Sequence, residues 1–146
     1  MLAGGCQCGA VRYTIAVDRP DVYACHCREC QKQSASAFGM SLPVRAEDFA
    51  VTGAMATWER DTYRGTRSRA SFCPSCGSRV YHQIVGSTGF VTVKGGSLDD
   101  TSWLAPVAHI WVSRRQPWVV LDPATPTHPT QPDDMLAWRR SFAADA

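Results

Sequence analysis

Seven cysteines fall in three tight clusters, Cys6-x-Cys8, Cys25-x-Cys27-x-x-Cys30 and Cys73-x-x-Cys76, and their spacing constrains the fold more than any other feature. An odd number cannot close into a pure disulfide framework, and cysteines one or two residues apart suit a metal ion. The chain does not need covalent staples for size alone. Its 146 residues, 45% hydrophobic and 19% charged, suffice for one domain, and a chain this long buries roughly 70% of the surface that it exposes when unfolded. The cysteines therefore read as ligands.

The Cys6/Cys8 and Cys73/Cys76 pairs each end in a glycine, Gly9 or Gly77, that permits the positive φ of a metal knuckle. Four thiolates from two turns close a tetrahedral zinc shell, leave no open position and add folding energy outright. Cys25, Cys27 and Cys30 differ, because three ligands from one segment leave tetrahedral zinc one position short. On a strand Cys25 and Cys27 point to one side and His26 to the other, so His26 is poorly placed as the fourth ligand. Cys30 returns to the cysteine side if a helix begins at Arg28. The open position then falls to water or to the thiol of a substrate, and a metal keeps such sulfur deprotonated at neutral pH. The alternatives are a second structural site completed from elsewhere, with His82, His109 and His128 as distant ligands, or three buried reduced thiols.

β-Branched and aromatic residues alternate with polar ones over the first two thirds of the chain. This pattern predicts strands at 9–17, 21–25, 37–42, 54–60, 67–72, 79–84, 90–94, 107–112 and 118–121, hence a mainly β fold of antiparallel sheets. A short helix is expected over 28–34 and a single turn at 46–49. Pro123, Pro126, Pro129 and Pro132 recur every third residue, as in polyproline II. Residues 122–132 read as an extended arm, after which Asp133 and Asp134 cap a short helix whose Met135, Leu136, Trp138 and Phe142 dock on the sheet. The expected organisation is a zinc-binding β domain over 1–121, with the arm and C-terminal helix, 122–146, packed on it.

The net charge is +2, although thirteen of the fifteen cations are Arg. So small an excess argues against nucleic acid and against an anionic membrane surface. The first sixteen residues carry two cysteines where a signal peptide needs an unbroken apolar stretch, and no segment reaches a membrane span. With no Asn, and so no N-glycosylation acceptor, the chain is expected to be soluble and cytoplasmic. No phosphate loop, dinucleotide fingerprint, metalloprotease helix or nucleophile elbow occurs, which removes support for hydride transfer and serine hydrolysis. On the strand over 107–112, His109 and Trp111 are expected on one face. Arg64, Arg67 and Arg69 could meet carboxylates of a peptide thiol, but a solvated surface is the simpler reading.

With these residues in view the chain resembles the glutathione-dependent formaldehyde-activating family, also called the GFA or centromere protein V domain. The resemblance rests on Gly4-Gly5-Cys6-Gln7-Cys8-Gly9 with Val11-Arg12-Tyr13, and on Cys25-His26-Cys27-x-x-Cys30-Gln31-Lys32 leading to Phe38. Further along come Phe72-Cys73-Pro74-Ser75-Cys76-Gly77 with Tyr81, Gly95-Gly96-Ser97-Leu98-Asp99-Asp100, and His109-Ile110-Trp111 ahead of Trp118. It implies small twisted antiparallel sheets, a closed zinc at Cys6, Cys8, Cys73 and Cys76, and a second, labile zinc at Cys25, Cys27 and Cys30. The implied activity is that of a carbon–sulfur lyase that makes or cleaves S-hydroxymethylglutathione from glutathione and formaldehyde. One departure stands beside the triplet: where the family commonly shows a glycine, this chain has Ser34-Ala35-Ser36.

Two function classes follow. The first is a zinc enzyme with Cys25, Cys27 and Cys30 as its catalytic ligands and a small thiol and an aldehyde as its partners. The second is a non-catalytic, zinc-stabilised binding module that engages a protein or nucleic acid. A redox role for the triplet is a third, weaker alternative.

Overall fold

The computed structural model describes residues 1–143; the end of the expected 122–146 arm, residues 144–146, lies outside the described residues. In chain order the elements are β1 (Leu2–Gly5), β2 (Arg12–Ile15), β3 (Tyr23–Cys25), α1 (Arg28–Ser34), β4 (Gly39–Arg45), β5 (Phe49–Thr52), β6 (Ala56–Asp61), β7 (Arg67–Phe72), β8 (Arg79–Ile84), β9 (Phe90–Lys94), β10 (Ala108–Ile110) and α2 (Met135–Phe142). The fold is mainly β, and no described helix is long and apolar enough to cross a membrane. The chain divides into two compact units, Met1–Val22 with Met40–Ala105 and Tyr23–Gly39 with Pro106–Ala146.

The first unit holds a three-stranded sheet, β1-β2-β5, and a run β4-β9-β8-β7-β6, all antiparallel. Alternation places the side chains. In β2 Tyr13 and Ile15 are buried while Arg12 and Thr14 face solvent, and in β9 Val91 and Val93 point inward. Together with Val11, Leu42, Val80 and Leu98 they form one apolar cluster that includes Cys6 and Cys73. Polar groups tie its rim: the Tyr13 hydroxyl meets Ser97 Oγ at 2.8 Å, Ser97 Oγ donates to the Lys94 carbonyl at 2.6 Å, and Arg12 pairs with Asp99. Two strands of this unit, β1 and β5, lie outside the expected set. Leu2–Gly5 contains two glycines, a residue depleted in strands, and its pairing partner, not its composition, makes it a strand.

In the second unit β10 runs parallel to β3, with Ala108 opposite Tyr23, His109 opposite Ala24 and Ile110 opposite Cys25. This one pair is parallel, whereas the other pairings of named strands described above are antiparallel as expected. β10 also ends at Ile110, because Trp111 adopts a left-handed conformation, φ 57° and ψ 37°, and opens a 3-10 turn over Val112–Arg114. The expected shared face of His109 and Trp111 is broken there. Residues 118–121 form no strand; Pro117 and Pro123 bracket them, and proline withholds the N–H that a ladder needs.

The proline-rich arm runs beside β10. His109 N–H donates to the Pro126 carbonyl and His128 N–H to the His109 carbonyl, both at 2.9 Å, while Ser113 N–H reaches the Pro129 carbonyl at 3.2 Å. A proline can occupy an edge because it still offers its carbonyl. Asp134 caps α2, accepting from Ala137 N at 2.9 Å. Met135 and Trp138 pack around Cys25, Cys30 and Ile110, and Trp138 stacks edge-on with His128 at 5.6 Å. Leu136, expected to dock, is instead 59% exposed.

Candidate metal centres

Two cysteine groups are brought together, each within one unit. In the first, the sulfurs of Cys6, Cys8, Cys73 and Cys76 lie within 4.8 Å of one another. Cys6 and Cys8 are 3.6 Å apart and Cys8 and Cys73 3.7 Å. Four sulfurs placed about 2.3 Å from a common centre at tetrahedral angles would be about 3.8 Å apart, so the spacing fits zinc and is far too long for a disulfide. Each pair sits on a tight turn. Gly9 N–H returns to the Cys6 carbonyl at 3.1 Å and Gly77 N–H to the Cys73 carbonyl at 2.9 Å, with φ at +82° and +75°. A side chain at either glycine would strain the turn.

Donors converge on these sulfurs. Val11 N–H points at Cys6 Sγ at 3.2 Å, and Cys76 Sγ lies 3.3 Å from the Ser78 hydroxyl. That hydroxyl, helped by the N–H groups of Ser78 and Cys8, holds the Cys76 thiol down at about 5. Ser78 Oγ also accepts from Gln7 N–H at 3.0 Å, which links the two turns.

The second group is Cys25, Cys27 and Cys30, again with sulfurs within 4.8 Å of one another. Cys25 ends β3, Cys27 is the N-cap of α1, and Cys30 is its third residue. Cys30 N–H donates to Cys27 Sγ at 3.3 Å, so sulfur occupies the place that serine or aspartate takes in an ordinary cap. Hydrogen bonds from the Cys25 and Cys30 thiols, then from the backbone at Cys30 and Glu29, pull the Cys27 thiol down to about 2; the same pairing pushes Cys25 up. The Gln33 side-chain amide lies 3.5 Å from Cys30 Sγ.

Among the described residues no histidine or carboxylate joins this group. His26 points away, fully buried, with Nε2 2.9 Å from His109 Nδ1 and its ring 5.1 Å from Phe38. Burial, then His109 and Arg115, draws His26 down to about 4, so it stays neutral. The other histidines considered as ligands are engaged as well: His82 Nδ1 meets Lys94 Nζ at 2.8 Å, and His128 Nδ1 lies 2.9 Å from the Thr130 carbonyl. Arg67 pairs with Glu59 and Asp61, and Arg69 with Glu59, on the β6–β7 surface. They are a charged strand face, as the simpler reading had it.

The family model of the glutathione-dependent formaldehyde-activating enzyme, GFA, matches residues 1–114. The chain belongs to this family. A crystal structure of a Rhodobacter sphaeroides protein superposes with a TM-score of 0.54 at 23% identity, covering 72% of this chain and 92% of that one, and supports the fold. No curated protein matches the chain.

The departure of this GFA chain beside the triplet has a conformational cost. Ala35, the C-cap of α1, is left-handed at φ 48° and ψ 41°, and its N–H returns to the carbonyls of Gln31 and Lys32. Glycine carries no Cβ penalty in that conformation. Ala35→Gly is therefore expected to stabilise the chain by about 1 kcal/mol and raise Tm by roughly 3 °C. Calorimetry showing no rise would mean that the loop relaxes around alanine without strain. A groove beside this turn, lined by Arg28, Gln31, Lys32, Ala35, Gln116 and Trp118, was not legible in the sequence. Its residues are 85 positions apart at the Gln31–Gln116 contact.

Proposed function

We propose that the chain is a zinc-dependent carbon–sulfur lyase acting on thiol–aldehyde adducts of the glutathione and formaldehyde type. Cys25, Cys27 and Cys30 hold the reactive metal, and Cys6, Cys8, Cys73 and Cys76 hold a structural one. One observation carries this: the same chain assembles four sulfurs at tetrahedral spacing in one place and only three in another. A complete shell stabilises, whereas an incomplete one leaves a position for an exogenous sulfur.

In the forward direction the thiol sulfur bonds to the aldehyde carbon, the carbonyl π electrons pass to oxygen, and the thiol proton ends on the new hydroxyl. The reverse breaks that carbon–sulfur bond. Zinc, when bound, supplies a positive centre that favours thiolate over thiol at neutral pH. The chain's own groups do the positioning. The α1 cap fixes Cys27 and Cys30 one helical turn apart, and the end of β3 brings Cys25 to them. Ile110, Trp111, Met135 and Trp138 pack around Cys25 and Cys30, and an apolar surround strengthens electrostatic contacts there. Holding two reactants together supplies most of the gain in such an addition. Seven free cysteines suit a reducing compartment, and we place the protein in the cytoplasm.

The test is zinc stoichiometry by elemental analysis before and after mild chelation, with adduct formation followed on the same samples. About two zincs per chain are expected. One should leave readily, adduct formation should fall with it, and added zinc should restore both. If both metals resist removal and glutathione neither binds nor reacts, the protein is a zinc-stapled binding module.

A further inference from the structure

The groove over α1 has the chemistry of an anion site. Arg28 and Lys32 stand one turn apart on the same helix face, and like charges at that spacing oppose helix formation. Several other cations have carboxylate partners: Arg12 has Asp99, Arg45 has Glu47, and Arg67 and Arg69 share Glu59. The Arg28 guanidinium reaches an amide, donating from Nη1 to Gln31 Oε1 at 2.5 Å, and the Lys32 ammonium has no hydrogen bond or ion pair among the described residues. No carboxylate lines the groove.

The remaining polar groups hold it rigid. Gln31 is 4% exposed, and its amide nitrogen donates to the carbonyls of His26 at 2.8 Å and Arg114 at 2.9 Å. Its oxygen must then face Arg28 and Gln116, whose Nε2 lies at 3.2 Å. Gln116 Oε1 in turn accepts the indole N–H of Trp118 at 2.7 Å. Trp118 is 71% exposed although its N–H is tied down, so a fixed aromatic face stands beside two cations. The groove is about 450 Å³, in the range of small-molecule sites.

Cys27 caps this seven-residue helix and Cys30 lies within it. An extended tripeptide spans about 10 Å, comparable to the width of one helix with its side chains. We infer that this groove selects the thiol: its cations take the carboxylates of an anionic peptide thiol whose sulfur reaches the cysteine triplet, and Trp118 covers the backbone between. The inference deepens the proposed function and rests on it for the position of the sulfur. It assigns specificity to Arg28, Lys32 and Trp118, with Gln31 and Gln116 as positioning residues.

The experiment compares the native chain with Arg28→Gln/Lys32→Gln. The ratio of KM for glutathione to KM for 2-mercaptoethanol is expected to rise roughly tenfold or more, since charge-assisted bonds to the carboxylates are lost. Calorimetric affinity for S-methylglutathione, whose sulfur is blocked, should weaken similarly, and Arg28→Lys/Lys32→Arg should restore most of it. An unchanged ratio with adduct formation intact overturns the groove and leaves the reaction standing. If no thiol reacts with formaldehyde but S-methylglutathione binding is still lost in the double variant, the reaction falls and the groove stands. Equal S-methylglutathione binding by both proteins overturns the groove on its own.

Discussion

Replacing Cys73 by serine is expected to abolish the cooperative thermal transition of the chain. Cys73 is fully buried beside Val11 and Val80, and its sulfur is one of four gathered within 4.8 Å. Structural zinc contributes on the order of 10–16 kcal/mol in small zinc domains, while a whole domain is stable by only about 5–15 kcal/mol. Losing the ligand therefore removes more than the margin. The buried hydroxyl adds a further cost of about 1–3 kcal/mol if it finds no partner. Exposed Cys8 separates the two causes, because Cys8→Ser removes a ligand without placing a hydroxyl in the core. Circular dichroism melting with zinc counting should show both variants unfolded and metal-poor. A Cys8→Ser protein with native Tm and native metal content would show that the cluster stabilises by packing, not by binding zinc.

Local pattern made much of this legible. β7, β8 and β9 coincide with the strands expected over 67–72, 79–84 and 90–94, and α1 with the helix expected over 28–34. Those segments carry their own signals: alternation in the strands, and in the helix a run of residues free of β-branching. The cysteine groups were legible for a related reason, since ligand spacing is local within each turn and only the pairing of turns is not. What escaped depends on distant partners. The parallel register of β10 on β3 joins positions 83 and more apart, as does the His26–His109 contact. Trp118 to Leu121 alternates as a strand would, with Val119 buried and Val120 exposed, yet it lies between two prolines without a ladder. Trp111 was misplaced because nothing in a sequence marks a tryptophan for a left-handed backbone, a conformation rare for bulky residues. Its indole packs on the triplet cluster, so the strain lies beside the candidate reactive site.

The proposed division between a closed and an open shell sets the second large effect. Cys27→Ser is expected to retain the fold, lower the zinc content from about two to about one per chain, and reduce adduct formation at least about a hundredfold. Serine is the right replacement because Cys27 is also the N-cap of α1. A serine hydroxyl accepts the Cys30 N–H as well as sulfur does, so the helix keeps its cap. What changes is the ligand: a hydroxyl stays protonated at neutral pH, whereas the Cys27 thiol is held at about 2 by its neighbours. Two thiolates would then remain where three stood, too few to retain a divalent ion against water. The four-sulfur cluster lies in the other compact unit and keeps its ligands, so Tm should change far less than in Cys73→Ser. Elemental analysis, melting and adduct kinetics on one preparation decide the matter. A Cys27→Ser protein with native zinc content and native rate would refute the open-site assignment. Native zinc content with a lost rate would place Cys27 in the chemistry without making it a ligand.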